Sequence, residues 1–302
     1  MALPESGDIS FRDINIELGY DYNYQLALGS TVVRTLFGIE SGAIDMNSGH
    51  GKANRITRNI VLSSTRDTFN LKPSGVSGYI AGKTDITLTI STGVYLYSVL
   101  TSQAALIIEA FAAGDTVSIV NNGFIMGMGG RGGGFNITPG AGGNAINLSY
   151  PVSITNNSYI AGGGGGGARG SGTAYSGEGG GGAGGGQSGT SLGGAPGQPG
   201  GAIGSSYSGG RILPGSSANQ AGGQGGSSEN ASFETEVSGG LGGTTNNPGQ
   251  NGISDFGCVS GAGGGGWGAA GGSSGGAGGK AINLNGNTVT WVAAGTRYGA
   301  IS

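Results

Sequence analysis

The chain has 302 residues, of which 74 are glycine, 10% are charged and 35% are hydrophobic, with a formal net charge of -3. Ordinary domains carry about 7% glycine and about 25% charge, so this composition is far from average. It offers no basic face for a phosphate backbone, which excludes nucleic-acid binding, yet it is too apolar for a purely solvated linker.

The start, Met1-Ala2-Leu3-Pro4-Glu5-Ser6, has neither a basic n-region nor an apolar h-region, so no signal peptide is expected. Ser10 caps a predicted helix, with Asp13 near its positive end. Phe11, Ile14 and Leu18 fall on one face, and Gly19 stops the helix. Ser30 before Val32-Val33-Arg34-Thr35-Leu36-Phe37, closed by Gly38, repeats that design. Residues 1–55 are read as a small α-rich module.

Residues 56–122 read as a β-rich base. Thr87-Leu88-Thr89-Ile90 alternates polar and apolar residues; Val94 to Val99, Ala105 to Ile108 and Thr116 to Val120 follow as strands, and Asn121-Asn122-Gly123 marks a turn. The longest apolar run, Ala104 to Ile108, falls far short of the ~20 residues that span a bilayer, so no membrane insertion is expected.

Residues 123–279 hold 59 of the 74 glycines, in runs separated by more polar segments. Residues 280–302 are strand-like again, with Ile282-Asn283-Leu284 and Thr288 to Val292. Val117 to Ile125 resembles Val152 to Ile160, and both lead into glycine; Ala145-Ile146-Asn147-Leu148 resembles Ala281-Ile282-Asn283-Leu284, and both follow glycine. Repeats of this kind stack as equivalent strands. The chain therefore leaves the base at 123, returns over 145–160, leaves again, and returns at 280.

Helix is disfavoured by about 1 kcal/mol per glycine, and a sandwich core lacks side chains to bury. What remains is the left-handed helix of three residues per turn, rising about 3.1 Å per residue. Its amides are unsatisfied internally, so several runs must pack side by side and bond to one another. The fold class expected is mostly β and irregular: a small α-rich N-terminal module, a β base, a bundle of polyglycine II helices with displayed loops, and a C-terminal strand returning to the base. The alternative is a disordered glycine and serine tail, against which the returning strand argues.

Catalytic readings fare poorly. His50 is the one histidine and sits in a turn-like Ser48-Gly49-His50-Gly51-Lys52. Gly127-Met128-Gly129-Gly130-Arg131-Gly132 matches G-x-G-x-x-G, but no helix follows to hold a pyrophosphate. Glu234 and Glu236 share a strand face, where solvated charge is the commoner role than a glycosidase pair. Cys258 stands alone, which excludes a disulfide framework or a multi-cysteine metal site. No enzyme, cofactor or metal is expected.

Asn121 to Gly127, Tyr150 to Asn157 and Asn283 to Trp291 resemble segments of glycine-rich tail-fibre and receptor-binding proteins of tailed bacteriophages, and Gly295 to Ser302 resembles their ending. Met1 to Pro4, Ser6 to Ser10 and Glu17 to Gly19 resemble an N-terminal module of several phage virion proteins. The glycine zone is similar in plan to the tip adhesins of T-even-like long tail fibres, while residues 1–55 depart from them. The resemblance implies a receptor-binding adhesin on the virion tail or tail fibre, made in the host cytoplasm and acting at the host cell surface. Its implied partners are a host outer-membrane protein or surface glycan and other phage tail or fibre proteins, as a monomer on a trimeric fibre or as a trimer. A purely structural virion component, a fibre connector or decoration protein, is the alternative. Residues 1–55 are the expected virion-docking module.

If each glycine run crosses the bundle once, segments 169–178, 205–220 and 244–260 lie at the end far from the base, and 188–192 and 227–238 lie near it. Exposed rings and arginines are typical hot spots. The expected receptor contacts are therefore Tyr175, Tyr207, Arg211, Ile212, Leu213 and Phe256. A turn hidden in a run, as at Pro196 to Pro199 or Ser273-Ser274, would invert the near and far assignment downstream of it. Phe135 and Phe233 also lie between runs. Trp267, inside a run, is expected to plug the bundle edge, and Trp291 to sit in the core of the base.

Overall fold

Short alternating strands carry this fold, and long glycine segments interrupt them. The computed structural model describes residues 2–134, 138–170, 179, 182–183, 228–229, 236–237, 241–243, 247–252, 254–255, 258–272 and 274–302. Contacts divide the chain into two units: residues 1–58, 76–86 and 111–116 in one, and 59–75, 87–110 and 117–302 in the other.

In the first unit, helix α1 (Phe11–Leu18) opens on a capping box. The Ser10 hydroxyl accepts from the Asp13 amide at 3.2 Å, and the Asp13 carboxylate accepts from the Ser10 amide at 2.9 Å. The Ser10 hydroxyl, donating to the Asp13 carboxylate at 2.6 Å, and then the Ser10 amide hold the Asp13 carboxyl below its ordinary pKa. Gly19 closes the helix with φ 79°, in the left-handed region that favours glycine. Helix α2 (Thr31–Phe37) ends likewise at Gly38, but Ser30, expected to cap it, makes no side-chain cap bond. Arg34 ties that end instead, donating to the carbonyls of Gly29 at 3.2 Å and Gly42 at 2.8 Å.

Leu3, Ile9, Ile14, Val33, Leu36 and Phe37 form the core of this unit. Phe11, expected on the buried face, is 40% exposed. It starts the helix, before the face that Ile14 buries. Two buried polar residues take up space that pattern reading assigns to apolar ones. Asn15 donates to the carbonyls of Tyr22 and Tyr24, pinning the loop after α1. Glu17, 1% exposed, pairs with Lys83 at 3.1 Å and accepts from the Asn54 amide.

Apart from two hairpins, the strands stack as a coil of five turns, the first four contributing a strand to each of three sheets and the fifth to two. The first turn supplies β1 (Ile56–Leu62), β2 (Arg66–Asp67) and β3 (Phe69–Leu71), and the second β4 (Thr84–Ile90), β5 (Tyr95–Tyr97) and β6 (Leu106–Ile108). The third supplies β7 (Thr116–Asn121), β8 (Phe124–Met126) and β9 (Ile146–Leu148). The fourth begins with β10 (Val152–Asn156) and β11 (Tyr159–Ala161). Between β11 and the rest of that turn come two hairpins, β12 (Ser228–Glu229) with β13 (Glu236–Val237) and β14 (Ser254–Asp255) with β15 (Cys258–Val259). Strand β16 (Ile282–Asn283) completes the turn. The fifth has β17 (Val289–Ala293), β18 (Thr296–Tyr298) and a bridge from Ile301 to Ile282.

The sheet orders are β1-β4-β7-β10-β17, β2-β5-β8-β11-β18 and β3-β6-β9-β16. The pairing is parallel at, for example, β7 with β10, β8 with β11 and β9 with β16. The sequence repeats are thus equivalent strands of turns three and four, as expected. Inward positions Leu88, Ile90, Leu96, Leu106, Ile108, Ile119, Ile125, Ile146, Leu148, Ile154, Ile160 and Ile282 are buried, each contributing about 1.5–3 kcal/mol of hydrophobic stabilisation. The repeated Asn-Asn pair lies at a corner of the coil. There the buried Asn121 side-chain NH2 donates to the Asn156 side-chain oxygen, and the Asn156 NH2 donates to the carbonyls of Ala294 and Thr296, so each turn of the coil is tied to the next through a buried amide.

Trp291 does sit in the base but is only half-buried. It pairs in register with Ile154, yet β17 is the last strand of its sheet and has a neighbouring strand on one side only. The Arg297 guanidinium lies 4.7 Å from its ring centroid.

Candidate functional site

In turns three and four the passage from the second sheet to the third is made of glycine. Residues 127–145 join β8 to β9, and 162–281 join β11 to β16. Both segments therefore leave and re-enter at the same corner, where the second turn uses only residues 98–105.

The hydrogen bonds of these segments recur every third residue. Gly127, Gly130 and Gly133 donate to the carbonyls of Ala161, Gly164 and Gly167. Gly163 and Gly166 donate to Gly143 and Gly140, and Gly165 and Ala168 donate to Ala269 and Gly272. Ala262, Gly265 and Gly268 donate to Ala168, Gly165 and Gly162, while Gly276 and Gly279 donate to Gly166 and Gly163. With the bond from Gly164 to Ala183, segment 162–168 bonds to six neighbours. A Cβ built on any residue from Gly162 to Gly167 would come under 3.0 Å from a neighbouring backbone carbonyl. Glycine is required here for close approach, not for a left-handed backbone.

Bond order gives direction. Segment 127–133 runs parallel to 161–167, away from the coil; 140–143, 179–182, 262–268 and 276–279 run back towards it. Segment 269–272 runs outward again, so the run 261–279 crosses three times rather than once. It reverses beside Gly268, at φ 69°, and at Ser274, at φ 60°. Two reversals cancel, so 260 lies at the outer end, as one crossing also requires.

The expectation fails at 239–243. Gln250 donates to Leu241, Gly243 to Gly264, Gly263 to Gln250 and Gly266 to Asn247, so 241–243 runs towards the coil and 247–250 away from it. Strand β12 accordingly lies against β15, and both hairpins share the outer end with Gly170, Gly252 and Ser260. Strands β12 and β13, within the segment 227–238 expected near the base, therefore lie towards the outer end. The cause is physical: glycine has no side-chain pattern to announce a reversal.

An aromatic seam joins the coil to the glycine segments. Tyr95, Phe124, Tyr159 and Tyr298 stack across β5, β8, β11 and β18 with centroids 4.8, 5.6 and 6.0 Å apart. Trp267 meets Tyr298 edge-on at 6.1 Å and is 1% exposed, packed with Tyr97, Met126, Ala161 and Ala183. It plugs this seam. Burial, with Tyr159 alongside, raises the Tyr298 hydroxyl above its ordinary pKa.

His50 caps a short 3-10 turn, with Nε2 2.8 Å from the Gly7 carbonyl oxygen. The Gly127 to Gly132 match is extended chain within the glycine hydrogen-bond net. Glu236 pairs in register with Glu229 in the β12–β13 hairpin; Glu234 lies outside the described residues. Among the described residues no group of three His, Cys, Asp or Glu could hold a metal ion, and no helix is long and apolar enough to cross a membrane. Tyr175, Tyr207, Arg211, Ile212, Leu213 and Phe256, like Phe135 and Phe233, lie outside the described residues.

The sequence model of the family described as phage tail fibre adhesin Gp38 matches residues 57–302. Among solved structures, the chain is similar to one from the gp37-gp38 adhesin tip complex of the bacteriophage S16 long tail fibre. The two are 19% identical with a TM-score of 0.46, over 99% of this chain and 100% of the other. No curated protein matches.

Proposed function

Because the chain belongs to the Gp38 family of phage tail fibre adhesins, we propose that it binds a host surface receptor through loops held at the outer end of a polyglycine II bundle. The observation that carries this reading is the three-residue hydrogen-bond period. Each run donates and accepts in several directions, as three-residue helices packed side by side require. Such a bundle needs no side-chain core, so the polar segments between runs are free to vary in sequence while their roots stay fixed. Eight residues at about 3.1 Å each carry a loop roughly 25 Å from the coil.

Tyr175, Tyr207, Arg211, Ile212, Leu213 and Phe256 remain the proposed contacts, and the placement of β12 beside β15 supports adding segment 228–237 to them. The receptor is a host outer-membrane protein or surface glycan, and binding involves no covalent step. Residues 1–55, outside the family match, are proposed to dock to another fibre protein of the virion. Deleting them should abolish incorporation into particles and leave cell binding intact.

The test is binding of purified protein to host cells. Alanine at Tyr207 and Phe256 should reduce binding at unchanged Tm. Binding that survives both of these substitutions, and is lost on changes in 1–55 instead, would overturn the reading.

A further inference from the structure

The segment 295–302 passes over every root of the second glycine excursion. Where the chain leaves β11, the Gly162 amide donates to the Tyr298 carbonyl at 2.9 Å, and β18 pairs with β11. Where the chain reverses, Gly299 packs so closely that a Cβ on Gly268 would meet its backbone nitrogen, while Trp267 lies edge-on to Tyr298. Where the chain returns, Ile282 donates to Ala300, Ser302 to Ile282 and Leu284 to Ser302, and Lys280 Nζ donates to the Ser302 carbonyl. Gly299 itself leaves no space for a Cβ against Gly279 and Ala281. One stretch of eight residues thus touches the outbound root, the central reversal and the inbound root.

We infer that residues 295–302 are a strap that locks the second glycine excursion onto the coil, so that the excursion is held in register only after the strap has been made. The first excursion, 127–145, is short, and β9 pairs with β6 straight after it. The second returns after more than a hundred residues, and its glycine-rich return carries few side chains with which to choose a register. The strap supplies that choice: Tyr298 stacks on Tyr159 and Ile301 bridges Ile282. Any adhesin chain stopped before residue 295 would then carry its loops on an unlocked base.

Hydrogen exchange, followed residue by residue, tests this in the full chain and in a chain ending at Ala294. Each backbone bond shifts an equilibrium by roughly fivefold. Loss of the four backbone bonds named above should therefore speed exchange of Gly163, Gly166, Gly265, Gly276 and Gly279, none of whose amides donates to the strap, by roughly several hundredfold. The Leu106 and Phe124 amides of the coil should stay protected. If they do not, Gly299→Ala in the full chain decides, with roughly tenfold faster glycine exchange expected and an intact coil. Wild-type glycine protection in either variant overturns the strap. So does loss of the coil in Gly299→Ala, since the segment would then be ordinary coil structure. Host-cell binding is not read in this experiment, so its outcome is independent of the receptor proposal.

Discussion

Gly166→Ala should destabilise the second unit far more than a single methyl group ordinarily does. The added Cβ would meet the Arg131 carbonyl oxygen and carbon and the Gly132 nitrogen, all within 3.0 Å. Relief requires moving one run by roughly 1.5 Å. Around this point Gly166 donates to Gly140 at 2.9 Å, Gly276 donates to Gly166 at 2.7 Å, and Gly140 donates to Arg131 at 2.8 Å. A shift of that size takes all three beyond bonding distance. At about 1 kcal/mol each they cost about 3 kcal/mol. The stiffer unfolded chain offsets about 0.4–1 kcal/mol. The expected net loss is about 2–3 kcal/mol, a fall in Tm of roughly 5–10 °C for a unit of this size. Gly29→Ala is the control: nothing lies within 4 Å of its Cβ and its φ is not positive, so its Tm should hold or rise slightly. Thermal unfolding followed by calorimetry measures both. Equal Tm values for the two variants would refute the packing argument.

Lys83→Ala should cost about 3–5 kcal/mol in the first unit, because it removes the ammonium paired with a carboxylate that is 1% exposed; chemical denaturation followed by tyrosine fluorescence reads it. Trp267→Ala should cost about 3–5 kcal/mol through the cavity left in the aromatic seam, and a loss below about 1 kcal/mol would mean that the ring is not an anchor. The Arg55 guanidinium, bonded at 2.8 and 2.7 Å, holds the Asp85 carboxyl below its ordinary pKa, with the Thr116 hydroxyl adding to it. A lowered folded pKa means stability that is present above the unfolded pKa and lost as pH falls through the folded value. Acid titration of Tm should therefore show a fall below pH ~4 that Asp85→Asn lacks.

The base was legible because its side chains repeat. Ala145 to Leu148 and Ala281 to Leu284 announce equivalent strands, and Asn121 and Asn156 mark equivalent corners. The first turn was harder to read: β2 is two exposed residues, and β1 alternates between half-buried and exposed until the buried Leu62 at its end. Helix α1 was readable from Ser10, Asp13 and Gly19, whereas the burial of Asn15 and Glu17 depends on partners 7 to 66 residues away. The glycine zone shows the limit most clearly. Its need to pack with itself follows from composition, but the reversals at Gly268 and Ser274 and the direction of 241–243 depend on which carbonyl each amide meets. A sequence with no side chains to compare does not encode that visibly. Trp267, the one large ring inside a run, was the available signal for the first reversal.

The central claim is that glycine runs bond to one another as three-residue helices. Scalar couplings transmitted across hydrogen bonds test it directly in isotopically labelled protein. The account predicts couplings from the Gly130 nitrogen to the Gly164 carbonyl carbon and from Gly133 to Gly167, and from Gly163 and Gly166 to Gly143 and Gly140. Absence of these couplings, with the same amides exchanging at the rate of free peptide, would contradict it.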